Sequence, residues 1–137
     1  MQIVSTVLNR MEIKFQDKTV SCFGSYHLIE LLKVYLDKYG ENPKDWMPIE
    51  KKSLSTIEML MNEFIDKVNL RYKLPYTHEE ICHCRLVPTE SVVQCIKTGC
   101  SSLRSVGLAT KAGTGCGTCQ TQIVDLMKYL TQSATTL

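Results

Sequence analysis

Two short stretches, ICHCRLVPTE (residues 81–90) and KAGTGCGTC (residues 111–119), decide how this chain is organised. A spacer of thirty-one residues separates the last cysteine of the first stretch from the first cysteine of the second. Four convergent thiolates can bind zinc or an iron–sulfur cluster. We therefore predict a metal centre whose ligands are Cys82, Cys84, Cys116 and Cys119.

The spacing of the cysteines constrains the backbone around each pair. Residues two apart on a regular strand point to opposite faces, so the Cys-x-Cys pair can bind one cluster only from a loop. The Cys-x-x-Cys pair lies at an expected helix start, which turns both sulfurs to one side. Both pairs precede or open predicted helices, whose N-termini favour negative charge. The glycines that would allow unusual backbone angles and free N–H groups for sulfur are Gly113, Gly115 and Gly117.

The charge distribution agrees with an anionic cofactor. Residues 1–79 contain eleven Lys/Arg and eleven Asp/Glu, whereas residues 80–137 contain five and three. An oxidised two-iron cluster held by four thiolates is a dianion, and the two excess positive charges of residues 80–137 balance it. Arg85 and Lys111 adjoin the ligand stretches and are candidates for stabilising the reduced cluster, although both can equally be ordinary surface cations. The surplus is too small for the basic stripe that nucleic-acid binding requires.

The residues around the cysteines resemble a known family. Ile81-Cys-His-Cys, the helix start at Pro88-Thr89, Gly99 and the run AGTGCGTC (residues 112–119) are similar to the bacterioferritin-associated ferredoxin-like (BFD-like) [2Fe-2S] domain. The resemblance covers about residues 80–131 and all four cysteine positions. It implies a small all-helical domain with a [2Fe-2S] cluster near the surface. The family includes free-standing ferredoxins and modules of nitrogen-fixation scaffolds, nitrite reductases and dehydrogenases; the first 79 residues carry no resemblance.

The predicted fold class is α+β, mostly helical, with an N-terminal domain at residues 1–74. Apolar and polar residues alternate over residues 11–15 and again over 19–22, which predicts a β-hairpin. Val4 to Leu8 is either a further strand or a helical start. Two helices follow the hairpin.

Local signals frame both helices of this domain. Ser25 is a natural N-cap and Gly40 a natural stop for the first. The second runs from about Ser53 to Leu70, and Ser55 and Glu58 have capping-box spacing. Trp46 lies in the loop between the helices, and we expect it to fill the core.

Helical periodicity stops before Pro75, so we predict a linker at 75–80, the BFD-like domain at 81–132 and a tail at 133–137. In that domain Thr89 should cap a helix that Gly99 ends. A short element should then turn three side chains inward, and a final helix should run from about Gly117 to Tyr129. The three inward side chains are Leu103, Val106 and Leu108.

The remaining cysteines are Cys22, Cys95 and Cys100. Cys95 lies three residues after Val92 on one predicted helix face, which indicates a buried core thiol rather than a ligand. We expect packing roles for the other two as well. The odd total of seven cysteines favours metal binding or redox chemistry in a reducing cytosol over a secreted disulfide framework.

An apolar stripe on the second helix has two interpretations. It either packs against the first helix and the hairpin or offers a docking face to a partner subunit. We expect residues 1–74 to mediate a protein–protein contact, in a homodimer or in a larger redox complex. The stripe consists of Leu54, Ile57, Met61, Phe64 and Val68, with Tyr35 and Tyr39 beside it.

These features predict a [2Fe-2S] protein that is a one-electron carrier or the cluster-bearing subunit of a redox complex. Expected partners are a reductase and an iron or sulfur redox enzyme, not nucleic acid or membrane, and no catalysis is expected. The alternatives are a cluster-assembly or interaction module and a structural zinc protein. A thiol–disulfide enzyme is disfavoured because a glycine loop, not a strand, precedes Cys116. The absence of a long apolar run and of signal-peptide features predicts a cytoplasmic location.

Overall fold

The computed structural model describes residues 2–7, 10–51, 53–82, 85–115, 117 and 119–131. The predicted class, α+β and mostly helical, is confirmed. In chain order the elements are β1 (Gln2–Val7), β2 (Met11–Gln16), β3 (Thr19–Phe23), α1 (Tyr26–Tyr39), a 3-10 turn (Pro43–Asp45), α2 (Thr56–Val68), β4 (Glu80–Cys82), β5 (Val87–Pro88), α3 (Thr89–Lys97), α4 (Leu103–Thr110) and α5 (Gln120–Thr131).

The N-terminal strands form an antiparallel sheet in the order β1-β2-β3, so β1 adds a third strand to the predicted hairpin. Ile13 on the central strand is fully buried. Asp17 and Lys18 connect β2 to β3 with φ of 53° and 62°. Two consecutive positive φ angles suit the right-handed twist of a two-residue hairpin, which closes here without the usual Asn-Gly.

The predicted caps of α1 and α2 are confirmed. Ser25 accepts a hydrogen bond from the His27 N–H, and Gly40 ends α1 with φ of 89°. At α2 the Ser55 hydroxyl accepts from the Glu58 N–H, while the Glu58 carboxylate accepts from the Ser55 N–H. These local bonds satisfy backbone donors that a helix start leaves unpaired.

Replacing Ser55 by alanine should lower the free energy of unfolding by about 1 kcal/mol, because the Glu58 N–H loses its acceptor. Urea unfolding followed by circular dichroism measures this difference. Ser53→Ala is the control, since Ser53 is exposed and lies outside the capping box. Equal stability of the two variants would contradict the role assigned to the cap.

The N-terminal core lies between the sheet and the two helices. Trp46 is 1% exposed, packs between Tyr35 and Phe64, and donates its Nε1–H to the Gly40 carbonyl. The prediction that Trp46 fills the core is therefore confirmed. Its ring joins the loop after α1 to α2, and the hydrogen bond satisfies its one polar atom.

Helix α2 lies at the junction of two hydrophobic cores. Leu60, Phe64 and Val68 belong to the N-terminal core, whereas Leu54, just before the helix, and Met59 belong to the core of the C-terminal region. Four members of the predicted docking stripe are buried in this way, and Ile57 is half-buried. Of its two interpretations, the structure supports packing within the chain.

The C-terminal region was expected to contain helices alone. It combines three helices with the two-stranded pairing β4–β5. The expected cap of α3 is wrong: Pro88 is the N-cap residue and makes no side-chain capping bond. Thr89 instead donates its hydroxyl to the His78 carbonyl and its N–H to the Glu79 carbonyl. The Thr89 side chain therefore attaches the predicted linker, residues 75–80, to the start of α3.

The prediction for α4 is wrong at one position. Val106 is buried and Leu103 is half-buried, but Leu108 is 80% exposed. Leu108 follows Val106 by two residues, a rotation of about 200° around the helix axis. It therefore lies on the outer side of a helix whose buried side contains Val106 and Gly107.

Cys95 is buried as predicted, but it is not a free core thiol, because it forms a disulfide with Cys100. The expectation of simple packing for Cys100 is wrong for the same reason. The bond spans the C-terminal end of α3, where the chain turns back at Gly99. Among the described residues, no helix is long and apolar enough to cross a membrane.

Candidate metal centre

Cys82 is the last residue of β4 and is 1% exposed. It is paired with Val87 of β5, with an irregularity in the ladder between Glu80 and Cys82. The two strands thus pair at Cys82 and Val87, which are separated by four residues in the sequence. Leu86, just before the return, has φ of 55° and is 73% exposed.

Cys119 directly precedes α5 and is 6% exposed. Its carbonyl accepts the N–H of Ile123, which is fully buried and fixes the first turn of the helix. Gln120 donates its side-chain amide to the Gly113 carbonyl at 3.1 Å. Helix α5 is therefore attached to the glycine-containing loop on the same side as Cys119.

The structure brings Cys82 and Cys119 together, within hydrogen-bonding distance of each other. Burial raises the pKa of the Cys119 thiol, and the neighbouring Cys82 raises this pKa further. The backbone N–H groups of Gly113 and Cys119 act in the opposite direction, because they stabilise negative charge on the sulfur. A metal ion bound there would displace the thiol proton and remove the cost of burying it.

The loop that precedes Cys119 depends on positive φ angles. Gly113 and Gly117 have φ of 78° and 79°, values that favour glycine. A Cβ at Gly113 would lie 3.3 Å from the Cδ1 atom of Ile123. The close fit holds the Gly113 N–H where it can reach the Cys119 sulfur.

Other predicted site residues lie at the edge of this arrangement. Arg85, Lys111 and Gly115 are exposed, and Lys111 is the left-handed C-cap residue of α4. Within the described ranges, neither cation forms an ion pair. Cys84 and Cys116 lie outside the described residues.

Sequence reasoning missed the residues that hold the two cysteine-bearing segments. The Tyr76 hydroxyl donates to the Glu80 carbonyl at 2.7 Å, two residues before Cys82. Thr89 and Gln120 make the backbone contacts described above. A tyrosine in a predicted linker or a glutamine on a helix carries no spacing signal, so these roles depend on the tertiary structure alone.

Replacing Gly113 by alanine should accelerate loss of the bound cluster roughly tenfold or more, since groups that orient metal ligands have effects of that size. The control is Gly40→Ala, because Gly40 also has positive φ, 89°, but meets nothing within 4 Å. Both variants should also lose about 1–3 kcal/mol of stability, because each places a side chain on backbone of positive φ that favours glycine. Bleaching of the visible absorption under an iron chelator measures the difference, and equal rates would contradict the role of Gly113.

The described part of the site fits a thiolate-bound cofactor. Two buried cysteines from separate elements converge, and a backbone N–H points at one sulfur. Thiolates with N–H donors are the surroundings in which iron–sulfur clusters are held.

Residues 80–129 match the family described as BFD-like [2Fe-2S] binding domain. This range agrees closely with the resemblance predicted for residues 80–131. Comparison with curated proteins and with solved structures gave no significant match.

Proposed function

We propose that this protein, whose residues 80–129 are a BFD-like [2Fe-2S] binding domain, passes single electrons between a reductase and an iron or sulfur redox enzyme. When bound, a [2Fe-2S] cluster accepts and releases one electron at a time. The residues that would hold it are Cys82 and Cys119, which converge in the structure, with Cys84 and Cys116 completing the set.

The observation that carries the proposal is the combination of buried thiols with an exposed rim. Cys82 and Cys119 are buried, yet Leu86, Lys111 and Thr114 in the adjoining segments are exposed. A partner that contacts this rim comes close to the cofactor without entering the fold. Burial of the sulfurs limits access of water to the cofactor.

A carrier role agrees better with the site than catalysis by the Cys-x-x-Cys pair. A thiol–disulfide enzyme needs an accessible cysteine with a lowered pKa. Here Cys119 is buried, its pKa is raised by burial and by Cys82, and a glycine loop precedes it. We therefore propose a non-enzymatic protein, and the reducing conditions that thiolate ligands need make the cytoplasm its proposed location.

Residues 1–74 are proposed to dock a partner, through a surface different from the stripe on α2. The end of β3 and the exposed positions of α1 carry large apolar side chains that such a contact could cover. They are Phe23, Tyr26, Ile29 and Val34. The contact is made in a homodimer or in a larger redox complex, and measuring the mass in solution of the Tyr26→Lys variant tests the homodimer directly.

The deciding experiment is a reversible redox titration of protein purified without air. We expect a visible absorption spectrum that is bleached and restored by about one electron per chain. Rapid transfer of electrons to and from other redox proteins, with iron retained, supports the carrier. Transfer of iron and sulfide to an apo-acceptor instead would assign the protein to cluster assembly, and a colourless zinc preparation would overturn both functions.

A further inference from the structure

We propose that Cys95 and Cys100 form a reversible thiol–disulfide exchange site that reacts with a small-molecule thiol–disulfide couple. The two residues are joined by a disulfide and have no part in the metal centre. The two cysteines are a second redox group on the chain, whether or not the protein is an electron carrier.

The backbone holds the two cysteines together independently of the bond between their sulfurs. The Cys100 N–H donates to the Cys95 carbonyl at 3.2 Å, and the Gly99 N–H donates to the Ile96 carbonyl at 3.0 Å. Gly99 makes this turn with φ of 117°, and a Cβ at this position would meet nothing within 4 Å. The Cα atoms of the two cysteines lie 5.7 Å apart, a normal spacing for a disulfide. The same turn can therefore carry either two thiols or a disulfide.

The bond is accessible from solvent. Cys95 is 8% exposed and Cys100 is half-buried. Both cysteines line an open depression between α3 and α4 that is large enough to admit a small peptide thiol. The other residues around the depression are Glu90, Ser91, Gln94, Thr98, Ala109 and Thr110.

The surroundings of the two sulfurs differ. Cys95 lies in the last turn of α3, where helix carbonyls disfavour a thiolate. Cys100 lies two residues before Ser102, the N-cap of α4, where the helix dipole has the opposite sign. Together with its greater exposure, this makes Cys100 the sulfur that exchanges with the external reagent.

The reaction is balanced as a two-step exchange. In oxidation the Cys100 thiolate attacks a small-molecule disulfide, forms a mixed disulfide and releases one small thiol. The Cys95 thiol then loses its proton and attacks the Cys100 sulfur, which releases the second small thiol. Reduction follows the same path in reverse, with two external thiols oxidised to one disulfide.

The metal centre needs reduced thiols on the same chain that carries this disulfide. Cys82 and Cys119 can bind iron only if their thiols stay reduced. Conditions that keep those buried thiols reduced also reduce an accessible disulfide, so the Cys95–Cys100 bond should open and close with the surrounding thiol balance. The Cys95–Cys100 pair at the end of α3 therefore exchanges with the surrounding thiols beside the iron-binding region.

The test uses full-length protein equilibrated without air at a series of glutathione to glutathione-disulfide ratios and then blocked with N-ethylmaleimide. Trypsin cleaves after Arg85, Lys97 and Arg104, so the two cysteines fall on separate peptides, 86–97 and 98–104. Mass spectrometry then distinguishes linked from unlinked peptides. We expect the ratio of linked to unlinked peptides to change about tenfold for each tenfold change in the concentration of glutathione disulfide divided by the squared concentration of glutathione.

Matched variants separate this site from the other cysteines. Cys22→Ser should titrate as the native protein does, whereas Cys100→Ser should give no linked peptide at any ratio. The proposal is wrong if glutathione disulfide alone never links the peptides of native protein. It is equally wrong if dithiothreitol opens the bond only after denaturant is added, since the bond would then be a static cross-link.

Discussion

Cys82→Ser protein should be purified without bound cluster: its visible absorption should be absent, and its iron and sulfide should fall from about two of each per chain to near zero. Cys82 is 1% exposed and lies against Cys119, so no water-accessible group can replace its sulfur without rearrangement of β4. Serine keeps the size of the side chain but is a poor ligand for iron compared with a thiolate. Iron and sulfide analysis of anaerobic preparations measures the loss.

Cys22→Ser is the matched control for this experiment. Cys22 lies on β3 in the N-terminal sheet, is half-buried, and belongs to the margin of the other core. Its substitution should leave iron, sulfide and colour unchanged. A fully coloured Cys82→Ser protein whose circular dichroism matches the native protein would show that Cys82 is not a ligand.

Replacing Glu63 by leucine should destabilise the protein by about 3–5 kcal/mol, the cost of leaving a buried charge without its partner. The Glu63 carboxylate, on α2, accepts hydrogen bonds from Lys97 on α3 and from the Tyr72 hydroxyl. The Lys97 side chain is 4% exposed and also donates to the Thr6 carbonyl at 3.2 Å. Without the carboxylate, the ammonium group of Lys97 would stay buried between the two regions of the chain.

A double variant separates the buried charge from loss of packing. Glu63→Leu combined with Lys97→Met should recover part of the lost stability, because the buried ammonium group is removed, while Lys67 and the Tyr72 hydroxyl still lose their acceptor. Glu30→Leu is the surface control and should change stability by less than about 0.5 kcal/mol, since the Glu30 side chain is 53% exposed. If the double variant is no more stable than Glu63→Leu, the unpaired ammonium group is not the cause.

The same carboxylate should make stability depend on acid pH. Burial tends to raise the pKa of Glu63, but Lys97 and Lys67 outweigh burial and hold this pKa below its ordinary value. Its contribution is therefore complete above the pKa of the unfolded chain, about 4.3, and is lost as pH falls through the lower folded value. As the pH is lowered from about 6 to about 2, the urea midpoint of unfolding should fall less steeply for the double variant than for the native protein.

The parts of the fold that the sequence predicts correctly depend on neighbours along the chain. Ser25, Gly40 and the Ser55–Glu58 pair act within one helical turn, so spacing alone identifies them. The resemblance to the [2Fe-2S] family also rests on local sequence motifs, and the family match over residues 80–129 confirms it.

The errors concern residues whose environment is set by distant parts of the chain. Thr89 donates its hydroxyl and its N–H to the backbone carbonyls of residues 78 and 79 and does not cap its own helix. Leu108 was expected in the core because it is apolar. It lies about 200° around the helix axis from the buried Val106, so its side chain is exposed. Cys100 lies beyond the end of α3, so helical periodicity, which identifies Cys95 as buried, cannot indicate their pairing.

Because α2 contributes to two cores, the iron-binding region cannot be treated as a cassette for gene fusion. A breakpoint at residues 75–80 would separate Leu54 and Met59 from the core they complete. It would also leave Lys97 in the excised piece and Glu63 behind. A crossover before residue 54 would instead separate Leu60, Phe64 and Val68 from the N-terminal core, so neither position divides the chain into two parts with complete cores.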